Sequence, residues 1–120
     1  MTFNIVGVTF RNKDGSLRQE IIQDEVKEND LLTMRREPDN EYDPNAIAIF
    51  SSSGNQVGYI PRDLAKILKD EDLSTYKLVV NEKVCGSKRR IYGIKATILQ
   101  KYYDTEDDEL DKFLAEIDDL

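Results

Sequence analysis

Tyr42 and Asp43 stand side by side in a loop fenced by Pro38 and Pro44, and together they offer two chemistries that a nucleotide site needs. The two prolines fix φ and remove backbone donors, so the loop is stiff and its Tyr42 ring can be presented to solvent. An unpaired base stacked on such a ring contributes on the order of 1–3 kcal/mol. A carboxylate repels phosphate, so beside a nucleotide it is useful where it accepts a hydrogen bond from a hydroxyl. An internal 3′-oxygen is esterified and cannot donate that bond, whereas a free 3′-end can. Asp43 is therefore a candidate sensor of strand ends. Duller uses compete: Tyr42 could pack its ring on the body of the domain with only its hydroxyl wet. Asp39 and Asp43 could spend their carboxylates on local backbone amides, and Asn45 is assigned that structural role. Asp39, Glu41 and Asp43 could instead hold Mg²⁺ for phosphodiester cleavage, since hard cations prefer carboxylate oxygens. The stretch lacks the mid-loop glycine of a calcium loop, however, and acids at alternate positions of one turn need not converge.

Other candidate groups lie further off in the chain. Phe10 alternates with Val6 and Val8, which by periodicity alone puts it in a core. One of Arg35 and Arg36 could pair with Glu37 or Glu41 on the surface, a contact of little energetic weight. Lys88-Arg89-Arg90 with Tyr92 could form a basic and aromatic wall, although a run of charges in a turn is more often simply solvated.

Composition limits what these groups can serve. At 120 residues the chain fits one small domain with a real core. It has no histidine and a single cysteine, Cys85, which excludes an internal disulfide and removes the usual zinc ligands and the usual general base, so no cofactor is expected. No run approaches a membrane span, and the N-terminus lacks the basic start and apolar stretch of a secretory signal, so the expectation is a soluble, intracellular, cytoplasmic protein with no membrane partner. The net charge of −7 is unevenly spread: residues 104–120 carry nine acidic side chains against Lys112 alone, leaving sixteen basic and fifteen acidic residues in 1–103. A near-neutral body can hold a few nucleotides through a local basic patch, without tight binding of long duplex.

The elements that must position the loop follow from periodicity and turn signals. A first strand is expected over Phe3–Arg11, interrupted at Gly7. A Ser16/Gln19 capping box and the stripe Leu17, Ile21, Ile22 and Val26 predict a helix over 17–26. Leu31–Arg36 alternates as a strand entering the loop, and Ala46–Ser51 with Gln56–Ile60 makes a hairpin across a Gly-Asn turn. Pro61 opens a second helix over 61–70, and Tyr76–Cys85 with Arg90–Tyr102 forms a long strand pair. The fold class is mainly β with α: a small OB-like barrel of five to six strands with two short helices. The domain is expected to span 1–103, followed by an acidic amphipathic helix over 104–120 with Leu110, Phe113, Leu114 and Ile117 on one face. That face could pack on the domain, support self-association, or compete with phosphate as a regulatory strip.

The loop from Arg36, the hairpin segment Gly54-Asn55-Gln56-Val57-Gly58-Tyr59-Ile60-Pro61-Arg62 and the opening Val6-Gly7-Val8-Thr9-Phe10 together resemble the HIRAN domain, over about residues 4–101. That family occurs in Swi/Snf-type fork-remodelling enzymes as an OB-like barrel that captures the 3′-hydroxyl end of single-stranded DNA, and bacterial chains also carry it alone. The resemblance implies a non-catalytic module of DNA repair or replication-fork processing, whose partners are 3′-ended single-stranded DNA and a repair or replication protein. It implies stacking by Tyr42 and Phe10, hydroxyl recognition by Asp43, and contacts from Asn40, Tyr59 and Arg62. This sequence departs from the family pattern in having Thr9 where an arginine is known, with Arg11 two residues on, and Glu41 where a proline precedes the tyrosine. A protein-interaction domain without nucleic acid is the remaining alternative.

Overall fold

Tyr76–Cys85 and Tyr92–Gln100, rich in β-branched and aromatic residues, form the long hairpin on which the sheet is built. A computed structural model of the chain describes residues 1–101. Its strands are β1 (Thr2–Asn4), β2 (Leu31–Arg36), β3 (Ile47–Phe50), β4 (Gln56–Tyr59), β5 (Tyr76–Cys85) and β6 (Tyr92–Gln100). Helix α1 (Arg18–Glu25) lies between β1 and β2, and α2 (Arg62–Ile67) between β4 and β5. All pairings are antiparallel, in the order β1-β6-β5-β2-β3-β4.

The sheet curls until its two ends meet. Just past β1, Val6 exchanges both backbone hydrogen bonds with Tyr59, at 3.0 and 2.9 Å, while Ile5 still donates to Ile94 in β6. One short segment thus touches both edges, giving the expected mainly β, OB-like curled sheet. Ile22, Ile47, Ile49, Val57, Leu78, Val80 and Ile94 fill its interior with essentially no exposure. The closure depends on Gly58: a Cβ there would lie 2.5 Å from the Val6 carbonyl oxygen and 2.7 Å from Ile5 Cγ2.

Two expectations are corrected. The first strand stops at Asn4 instead of running to Arg11, because Gly7 adopts φ +71° and the chain turns, with Phe10 N–H donating to the Gly7 carbonyl at 3.3 Å. Residues 7–17 leave the sheet, and within them Asn12 Nδ2 donates to the Gln56 carbonyl in β4 at 3.0 Å. The capping box does not form either: Ser16 Oγ donates to Asp14 at 2.6 Å, and α1 starts at Arg18 with Leu17 at its N-cap and no side-chain cap. That Ser16 bond, with the Ser16 amide, holds the Asp14 carboxyl below its ordinary value.

Gln19 is used for something else. Its Nε2 donates to the Val8 and Tyr92 carbonyls at 3.0 and 2.9 Å, and its Oε1 accepts from the Tyr92 amide at 2.7 Å. One amide group thereby ties the looped segment to β6. Gln19→Ala leaves those part-buried backbone groups without partners, and should lower stability by roughly 1–3 kcal/mol, read as a fall in the urea midpoint at unchanged slope.

The strands β2 and β5 coincide with their predicted bounds, and the other elements differ by a few residues at their ends. The acidic helix expected over 104–120, and any self-association through it, lies outside the described residues. No helix among the described residues is long and apolar enough to cross a membrane.

Candidate nucleic-acid interface

The loop between β2 and β3 is closed at its base by the Glu37 amide donating to the Ala46 carbonyl at 2.9 Å. Inside it, Asn40 Oδ1 accepts from the amides of Tyr42 and Asp43 at 2.9 and 3.0 Å, and Asn40 Nδ2 donates to Glu37 Oε1 at 3.0 Å. Asp43 Oδ1 accepts from the Asn45 amide at 2.9 Å. These are the local bonds that Asn and Asp form in turns. They fix the backbone without using the Tyr42 ring, which is 87% exposed. The alternative in which that ring packs on the barrel is thereby ruled out.

Asp43 takes the turn-holding role expected of it with one oxygen only. One oxygen holds the turn, and the other, Oδ2, lies 3.9 Å from Arg62 Nε, with the Asp43 side chain 18% and the Arg62 side chain 80% exposed. At that separation, with a nearly free arginine, the pair has little energetic weight. Oδ2 can therefore accept a ligand hydroxyl, and Arg62 can swing to a phosphate.

Both the looped segment and this loop line a cleft of about 1130 Å³. Phe10, Arg11, Asn40, Tyr42, Asp43, Tyr59 and Arg62 all lie on it. Phe10 is 67% exposed, so periodicity misplaced it: the turn at Gly7 carries it out of the strand and out of the core. Tyr59 is half-buried, its hydroxyl donating to Glu37 Oε1 at 2.8 Å. Arg11 is exposed, with one Nη1 bond to the Gly15 carbonyl at 2.7 Å. Tyr92 is not brought to the cleft. It packs against the core beneath Lys83, whose Nζ is 5.6 Å from the ring centroid, while Lys88-Arg89-Arg90 sits at the β5–β6 turn.

Arg35 and Arg36 pair with neither Glu37 nor Glu41. Arg35 lies over the Phe50 ring at 4.4 Å, and Arg36 donates to the carbonyls of Leu68 and Glu71 just beyond α2. The cleft is lined by Arg11, Lys13, Arg18, Arg35, Arg36 and Arg62 against four carboxylates, a local excess of two positive charges in a chain of net charge −7. That excess favours an anionic ligand. Among the described residues no three acidic or thiol side chains gather as a metal site, so Asp39, Glu41 and Asp43 do not converge.

Sequence reasoning missed Arg18, which is 6% exposed and still lines the cleft. A signal was present: Arg18 precedes Ile21 and Ile22 by three and four residues, which places it on the buried face of α1.

A model of the HIRAN domain family matches residues 1–103. Over 43 residues the chain is 46% identical to the helicase-like transcription factor of Oryctolagus cuniculus, and over 40 residues 48% identical to that of Mus musculus. The matched stretches cover 36% and 33% of this chain and 4% of either relative, so the chain corresponds to a small part of those proteins. The crystal structure of the HIRAN domain of human HLTF superposes with a TM-score of 0.57 at 24% identity, covering 93% of this chain and 86% of that one. A protein from Lactobacillus plantarum superposes with a TM-score of 0.55 at 18% identity, covering 81% and 90%. At those identities the superpositions speak to the fold.

Proposed function

The chain belongs to the HIRAN domain family, and we propose that it is a non-catalytic module that binds single-stranded DNA at a free 3′-hydroxyl end. The observation that carries this reading is the pairing, on one cleft, of an 87% exposed Tyr42 with Asp43, whose second carboxylate oxygen has only the loose 3.9 Å contact to Arg62. The terminal base stacks on Tyr42, and its 3′-hydroxyl donates to Asp43 Oδ2. Phe10 offers a second exposed ring, while Arg62 and Arg11 meet phosphates at the rim. Asn40 acts mainly by holding Tyr42 and Asp43 in place, since its oxygen and one amide hydrogen are committed within the loop. Kinship with helicase-like relatives supports a role beside a repair or replication enzyme.

A short oligonucleotide ending in a 3′-phosphate tests this against the same strand ending in a hydroxyl. The phosphate cannot offer the same neutral donor and is repelled by the carboxylate, so its binding should be weaker by about 10- to 150-fold, the worth of a hydrogen bond to a charged group. Asp43→Asn keeps the acceptor toward Asn45 and removes the charge, and should bring the two strands to similar affinity. Equal binding of both strands by the native protein would refute the end-sensing role.

A further inference from the structure

Among the described residues Arg18 is the one buried charged residue, 6% exposed. Its Nε donates to Asn12 Oδ1 at 2.7 Å, one Nη1 donates to the Gly7 carbonyl at 2.8 Å, and its guanidinium carbon sits 5.3 Å from the Tyr59 ring centroid. Among the described residues no carboxylate lies within 4.0 Å of it. Neutral acceptors and an aromatic face offset part of the desolvation of a buried cation, and they leave its charge uncompensated. An arginine cannot shed its proton to escape that cost. A permanent positive charge therefore stands in the cleft, where the remaining edge of a planar fork suits a phosphate.

We propose that Arg18 is a phosphate-binding residue at the floor of the cleft, taking the phosphodiester that joins the last two nucleotides of the bound strand. The inference rests on the end-binding reading. A strand that enters by its end carries the terminal linkage deepest, and the deepest cation should meet it. The exposed Arg11 and Arg62 are left for linkages further out. Tyr59 connects the two halves of the site: its ring face carries Arg18, and its hydroxyl holds the Glu37 carboxylate that also anchors Asn40.

The test is a scan of single-stranded oligonucleotides in which one linkage at a time is made neutral as a methylphosphonate, read as dissociation constants by fluorescence anisotropy. The native protein should lose about tenfold when the terminal linkage is neutralised, and less at linkages further in. Arg18→Gln should bind the unmodified strand more weakly by a similar factor, and should then be insensitive to the terminal methylphosphonate while still preferring a 3′-hydroxyl to a 3′-phosphate. If Arg18→Gln responds to that methylphosphonate as the native protein does, Arg18 is only a staple between Gly7 and Asn12, and the proposal is overturned. Should the variant not fold, the scan on the native protein decides, because indifference to the terminal linkage overturns it equally. Failure of end sensing shows separately, as loss of the hydroxyl-over-phosphate preference in the native protein.

Discussion

Tyr42→Ala should weaken binding of every short single strand by between about fivefold and 150-fold, corresponding to the 1–3 kcal/mol of one base stacked on an aromatic ring. The melting temperature should not change. The ring touches little of the protein, being 87% exposed, and the backbone around it is held by Asn40 and Asp43. Side-chain truncation at an exposed site away from packing and caps ordinarily moves stability by no more than about 0.5 kcal/mol. Tyr42→Phe separates the ring face from the hydroxyl: a stacking role predicts near-native affinity for Phe, whereas a hydrogen-bonding role predicts a loss like that of Ala. Because every base has a π-face, the loss should be alike for strands of different sequence and for hydroxyl- and phosphate-ended strands. Undiminished affinity in Tyr42→Ala would remove the ring from the site altogether.

How much of this was legible in the sequence depends on whether a residue's role is set locally. Leu31–Arg36 and Tyr76–Cys85 were legible to their ends because alternation and β-branched content both point to strands there, and Pro38 and Gly86 mark their exits. The loop from Glu37 to Asn45 was legible because its geometry comes from side-chain bonds spanning two or three residues. The position of Phe10 was not. Val6, Val8 and Phe10 alternate as a strand would, and the positive φ at Gly7, whose carbonyl accepts from Arg18 and from the Phe10 amide, sends Phe10 outward. Gln19 matched a capping box and was drawn instead to Tyr92, seventy-three residues away. Arg18 shows the same limit from the opposite side. Its spacing placed it on a buried face, but a charged residue is discounted as core, and its acceptors at Gly7 and Asn12 appear only once the loop has folded back. Tyr92 was assigned to a basic wall by its neighbours in the chain, whereas pairing with β5 puts it away from the cleft.

The same reasoning makes Gly58→Ala the substitution expected to damage the fold most per atom added. The new methyl would approach the Val6 carbonyl oxygen to 2.5 Å, and that oxygen accepts the Tyr59 amide in the bridge joining the ends of the sheet. Backbone on one side and the packed Ile5 side chain on the other leave little room to relax, so the cost should reach the upper part of the roughly 1–3 kcal/mol typical of overpacking, or exceed it. Gly86→Ala is the control: its Cβ would meet nothing closer than 3.6 Å, and its effect on the thermal midpoint should be small by comparison. Gly58→Ala should also impair binding in the fraction that remains folded. The bridge it strains carries Tyr59 on one strand and leads directly into Gly7 on the other, and these two residues supply the ring and the carbonyl that hold Arg18. Affinity measured well below the unfolding transition should therefore fall for Gly58→Ala and stay native for Gly86→Ala. Native affinity in a destabilised Gly58→Ala would mean that the cleft keeps its shape without the closing bridge.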